Sequence, residues 1–196
     1  MNDIALLSGV LSKTGDLIEG AAGVEGAEAG WRGSATPCEE YDVGALVDHL
    51  VGWLQLFEAR CDGRAYEADP ARHRSGPDPA GEFRAASAGL VAAWEKYGFD
   101  REIALTGESG LPAAMVFDMA LMEFTVHGWD LAMATGRPVP FTEREAAEVL
   151  VRAEATLPPQ YRGEGMAFGP IVPVAEDAPA VDRLAGFLGR DPAWRA

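Results

Sequence analysis

The stretch ALMEFTVHGWDLAMATG, residues 120–136, constrains this chain more than any other. Glu123, His127 and Asp130 follow one another at spacings of four and three. At about 100° per residue their side chains fall within about 60° of one another on a helix. Around them stand Met119, Leu121, Met122, Phe124, Val126, Trp129, Leu131 and Met133. A helix this apolar on nearly every side belongs in a core. A carboxylate and an imidazole buried one turn apart are costly unless they bind something or each other, and a divalent metal ion is the simplest shared partner.

A second helix is written in TPCEEYDVGALVDHLVGWLQLFEA, where Asp42 is the expected N-cap. Leu46, His49, Leu50, Trp53, Leu54 and Phe57 make the cleanest helical stripe in the sequence, with His49 inside it. The periodicity predicts an all-α chain: an up-and-down four-helix bundle with core helices at about 3–23, 42–61, 81–98 and 112–135. The first carries Ile4, Leu7, Leu11, Ile18 and Val24, weakened by Gly9, Gly15 and Gly20. The fourth stops at Gly136 with Pro138 beyond. Residues 62–80 read as a long surface loop, with His73 solvated in it, and the region 102–112 as a short hairpin or ordered loop. A C-terminal elaboration over 141–196 holds a helix after Thr142 ending before Pro158, a Pro/Gly-rich loop over 158–178, and a last helix at 179–188. The whole of 1–196 reads as one domain.

Charge narrows the partners. With 16 Lys and Arg against 31 Asp and Glu, the formal charge is −15. That acidity argues against nucleic acid and against anionic membrane surfaces. No apolar run reaches the roughly 18 residues a membrane span needs, and the N-terminus lacks signal-peptide features, so a cytoplasmic protein is expected. Cys38 and Cys61 make no disulfide framework and no C-x-x-C pair. Cys38 reads as a small buried hydrophobe, with nucleophile or ligand as the alternative, and Cys61 as structural. The acidic group Glu143, Glu145 and Glu148 reads as a solvated helix face. No phosphate-binding glycine motif and no G-x-S-x-G occurs.

His49, Glu123 and His127 together compose a two-histidine, one-carboxylate set. Zinc accepts it with an open fourth position, as catalytic rather than structural zinc does. Non-haem iron, nickel and manganese accept it as well. Asp130 faces the same way, placed either to orient an imidazole or to add a ligand. Taken singly, His49 reads as a satisfied core histidine, and Glu123 with His127 as an internal ion pair. On spacing alone the metal site and this structural reading both stand. Trp53 and Trp129 are candidates to line a substrate pocket, with core packing as the alternative for each.

TPCEEYDVGALVDHLVG, MEFTVHGWDLAMATG and FLGRDPAW, in this order and spacing, resemble the actinobacterial branch of the DinB-like superfamily, which contains the metal-binding N-terminal domain of mycothiol-dependent maleylpyruvate isomerase. The resemblance implies a four-helix bundle holding a divalent metal, usually zinc, on His49, Glu123 and His127. It implies mycothiol, or another low-molecular-weight thiol, as cosubstrate, and a small electrophile as substrate of an S-transferase or isomerase. The isomerase it resembles has a second, C-terminal domain in its active site. These 196 residues leave no room for one, so maleylpyruvate isomerisation itself is not expected. Two alternatives remain: a metal-dependent hydrolase with Asp130 or Asp48 as base, and a non-catalytic metal-binding stress or interaction protein. A homodimer through a helix face is compatible with either.

Overall fold

A computed structural model describes residues 3–22, 30–107, 109–157, 159–163 and 168–195. Val24, expected to extend the first helix, lies outside the described residues, as do Glu108 in the hairpin region and parts of the 158–178 loop.

Local chemistry sets the helix ends. Asp42 caps α2 (Val43–Cys61), its Oδ1 accepting from Ala45 N at 2.7 Å. Asp78 Oδ1 accepts from Gly81 N at 2.8 Å and opens α3 (Pro79–Tyr97) two residues before the sequence reading placed it. Pro79 therefore belongs to the first turn, where a missing N–H costs nothing. α4 (Ala113–Ala134) ends as expected at Gly136, which takes φ 65° while Arg137 N reaches back to Ala132 O at 2.9 Å. Between α3 and α4, β1 (Glu102–Ile103) and β2 (Leu111–Pro112) pair antiparallel, so the 102–112 region is a minimal hairpin.

The all-α bundle is present. α1 (Asp3–Ala22) and α2 each pack against α3 and α4, which places α1 diagonal to α2 and α3 diagonal to α4. The order round the bundle therefore differs from the order along the chain. The connections over 23–42 and 98–112 are long enough to cross a diagonal, which short loops could not do. α5 (Glu143–Thr156) packs on α4, and α6 (Ala180–Phe187) packs on α5.

Phe124, the residue after Glu123, anchors α4. It meets Phe57 of α2 and Phe83 of α3 edge-on, each at 5.8 Å between ring centroids. Gly128 lets α1 come close to the same helix. A Cβ there would lie 2.7 Å from Phe141 Cζ and 2.9 Å from Thr14 Oγ1. Thr14 uses that approach to donate its hydroxyl to Phe124 O at 2.9 Å.

Two sequence expectations are corrected. His73 is not solvated: the 62–78 loop folds back over α2, and the ring sits mostly buried at Gly52, where a Cβ would come within 2.6 Å of His73 Cβ. Its Nε2 lies 3.5 Å from Glu82 Oε2. Nor is Glu145 solvated, although Glu143 and Glu148 are exposed as expected. Glu145 closes a capping box with Thr142 and pairs with Lys13 of α1. Glu143 accepts from Ala180 N at 2.9 Å, and Glu148 from Arg152 Nη2 at 3.1 Å. A spacing that looks like a polar face on one helix cannot show which neighbouring elements supply cations and amides.

Candidate metal centre

α2 and α4 meet where their apolar stripes are interrupted. His49 of α2 donates through Nε2 to Glu123 Oε1 of α4 at 2.6 Å. His127 lies one turn further along α4, its Nε2 3.6 Å from the same oxygen. The two imidazoles stand nearly edge-on, with centroids 4.9 Å apart. All three ligand atoms lie within 4.8 Å of one another. Glu123 and His49 keep side-chain exposures of 20 % and 12 %, so the cluster has an edge toward solvent.

Electrostatics favour a charged Glu123. Burial alone would raise its pKa, but the neighbouring His127, the bond from His49 and the more distant Arg190 outweigh burial and hold it at about 2. It is ready as a carboxylate at neutral pH. Ligands bound to one zinc at about 2.0–2.2 Å sit about 3.3 Å apart in a tetrahedron. The separations of 2.6 and 3.6 Å about Glu123 Oε1 bracket that spacing. Two imidazoles and one carboxylate, gathered at this spacing, fit a divalent transition metal.

Asp130 is hydrogen-bonded to the imidazole of His127. The ring's Nδ1 donates to Asp130 Oδ2 at 3.0 Å, which turns Nε2 toward Glu123 and His49. Asp130 is fully buried and also receives the Arg190 guanidinium, with Nε at 3.0 Å from Oδ1 and Nη2 at 3.1 Å from Oδ2. Arg190 was not assigned a role by the sequence reading, although it lies in FLGRDPAW; a glycine followed by a cation after a short amphipathic helix is the signal that marks it. Tyr41 was missed too. Its ring lies 4.7 Å from that of His49 and 6.1 Å from that of His127. Burial pushes its hydroxyl up to about 12, so it stays protonated.

Trp53 stands beside the cluster, its ring 5.9 Å from that of His49. Trp129 is buried in the hydrophobic core at 2 % exposure. Asp48, offered as a base, faces Arg32 Nη2 and Ser75 N, each at 3.0 Å.

Residues 16–132 match the family described as the mycothiol maleylpyruvate isomerase N-terminal domain. The chain belongs to this family. The matched span holds His49, Glu123, His127 and Asp130 but ends before Arg190. Two uncharacterized proteins of Mycobacterium tuberculosis, from strains CDC 1551 and H37Rv, are each 32 % identical over 161 residues, covering 81 % of this chain and 84 % of theirs. No solved structure matches the chain significantly.

In this member of the family Cys38 approaches the centre from the side of Asp130. Cys38, His127 and Asp130 also bring ligand atoms within 4.8 Å of one another. This second set is the poorer metal site. Its carboxylate is already held by a guanidinium, its imidazole nitrogen is already donating, and its thiol is pushed up to about 11, chiefly by burial. Among the described residues no helix is long and apolar enough to cross a membrane.

Proposed function

We propose that His49, Glu123 and His127 hold a divalent metal ion, zinc in the first instance, and that the protein adds a low-molecular-weight thiol of the mycothiol class through its sulfur to a small electrophile, or uses that thiol to isomerise one. The observation that carries this reading is the convergence of the three donors, with His127 already turned by Asp130 so that Nε2 faces the other two. Bound there, the ion would lower the pKa of a thiol enough to leave it a thiolate at neutral pH.

The chain's own cysteines are poorly suited to be that nucleophile. Burial pushes Cys38 to about 11 and Cys61 to about 12, so both are thiols at pH 7. That favours a cosubstrate as the source of the sulfur, in keeping with the family description. Glu123 and His49 offer the approach edge, and the Tyr41 and Trp53 rings flank it with apolar faces. Hydrolysis is less well supported. Of the two candidate bases, Asp130 is taken by His127 and Arg190, and Asp48 by Arg32 and Ser75.

Elemental analysis of the purified protein beside a His49→Ala variant tests the site. About one transition metal per chain, lost in the variant, is the expected result. Titrating the cobalt(II)-loaded protein with mycothiol should then produce a sulfur-to-cobalt charge-transfer band, absent with the S-methylated thiol. A loaded protein whose spectrum ignores the free thiol would rule out the thiol cosubstrate.

A further inference from the structure

We infer that Arg190 is a positioning residue for His127: its guanidinium fixes the Asp130 carboxylate, and through it the tautomer and orientation of the imidazole. The consequence for metal binding rests on the reading of the centre given above; the effect on His127 does not.

The sequence builds this contact in steps. α6 ends in a turn in which Gly189 takes φ 86°, Gly189 N reaches Gly186 O at 3.1 Å, and Arg190 N reaches Ala185 O at 2.9 Å. This pattern reverses the chain with a left-handed residue that glycine supplies without penalty. The turn is pressed against a second strand of backbone, since a Cβ on Gly189 would come within 2.8 Å of Gly169 Cα. The chain leaves the turn with Arg190 aimed inward, its side chain 9 % exposed. It meets Asp130, 60 positions earlier, through Nε to both carboxylate oxygens at 3.0 and 3.2 Å and through Nη2 to Oδ2 at 3.1 Å.

Oδ2 is also the oxygen that accepts from His127 Nδ1. A carboxylate can only accept, so Nδ1 carries a proton, and Nε2 is the atom left to face Glu123 and His49, with its lone pair free whenever the ring is neutral. The fork matters because it fixes the plane of the carboxylate. Without it Asp130 can rotate, the ring can exchange its proton to Nε2, and an imidazole protonated there cannot bind a metal. A buried ion pair is weak evidence of stabilisation in itself. Here the pair has a third partner that is a candidate ligand, which gives it a use beyond packing. The segment after α6 is thereby part of the centre.

The test compares wild type with Arg190→Met and Arg190→Lys. Long-range proton–nitrogen NMR correlations on the metal-free protein report the tautomer of the neutral His127 ring. Chelator competition reports zinc affinity. In wild type the Nδ1–H form should dominate; in Arg190→Met the two forms should mix and zinc affinity fall about 10–100-fold, with Arg190→Lys between them. Arg190→Met leaves Asp130 buried alone and can fail to fold. Arg190→Lys keeps a cation beside Asp130 but loses the planar fork, so it should fold and still show a partial mixture of tautomers. A folded variant with the Nδ1–H form intact and zinc affinity within about twofold of wild type overturns the inference. If wild type takes up no zinc but the tautomers mix in the variant, the positioning role stands and the metal reading fails.

Discussion

His49 Nε2 and Glu123 Oε1, 74 residues apart in sequence, stand 2.6 Å from each other across the α2–α4 interface. The proton they share occupies the lone pair that a metal would take, so loading the proposed centre would release protons and weaken as pH falls. Glu123→Gln separates the two roles of this carboxylate. The amide oxygen can still accept from His49, so the bundle should hold, whereas the anionic ligand is gone. Loss of a partner outside the ligand set costs about 10–100-fold in affinity, so removal of the ligand itself should cost more than about 100-fold. Chelator competition measures the loss, and a metal-free thermal melt near that of wild type confirms the fold. Unchanged affinity would remove Glu123 from the ligand set.

The two cysteines should be silent toward thiol reagents in the folded protein. Cys38 and Cys61 are pushed up to about 11 and 12, chiefly by burial, with Arg190 and Arg101 respectively pulling partly the other way. At pH 7 the thiolate fraction is negligible and access is closed. Iodoacetamide labelling followed by mass spectrometry should show no adduct on the native protein and two on the denatured one. Rapid native labelling of Cys38 would instead make it a candidate nucleophile and weaken the case for an external thiol.

The helices and the candidate residues on each were legible in the sequence because they rest on spacing within one helix, whereas spacing alone left the joining of His49 to Glu123 and His127 open and the resemblance supplied it. His49 interrupts the α2 stripe, and the Glu123, His127 and Asp130 spacing puts three side chains on one face of α4. What escaped depends on elements far apart in the chain. Arg190 reaches Asp130 only because a turn at Gly189 reverses the chain, and Tyr41 reaches the imidazoles only because the segment before α2 folds over them. His73 was misread because charged neighbours suggest water, while a glycine on α2 makes room for the ring. The order of helices round the bundle was likewise not written in any periodicity.

Glu145 should make stability depend on acid. Burial alone would raise its pKa, but the bond from the Lys13 ammonium and those from the Thr142 amide and hydroxyl outweigh burial and lower it below the ordinary 4.5. A folded pKa below the unfolded one contributes stability that is fully present above the unfolded value and is lost as pH falls through the folded value. Glu145→Gln keeps an oxygen for the Thr142 N–H but loses the charge that pairs with Lys13, and should cost about 1 kcal/mol at pH 7. For a chain of this size that is a drop of about 2–4 °C in melting temperature. The gap between wild type and variant should be constant at neutral pH and narrow below 4.5. Melting curves across pH measure it; a gap that widens in acid would contradict the sign.

Gly128→Ala sets helix propensity against packing, and packing should win. Alanine is better than glycine inside a helix by about 1 kcal/mol. Here, however, the new methyl would stand 2.7 Å from Phe141 Cζ and 2.9 Å from Thr14 Oγ1. Phe141 is itself buried, at 6 % exposure, and Thr14 is tied to Phe124 O, so neither can withdraw cheaply. Forcing a methyl into such a core costs about 1–3 kcal/mol. The net expectation is destabilisation by up to about 2 kcal/mol in urea unfolding, with α1 pushed away from α4. Because Gly128 follows His127 directly, the shift should also disturb the imidazole, and zinc affinity should fall even at temperatures where the variant is fully folded. A variant as stable as wild type and with equal zinc affinity would mean that α1 can move aside without disturbing His127, and that close approach at Gly128 does not hold the centre in place.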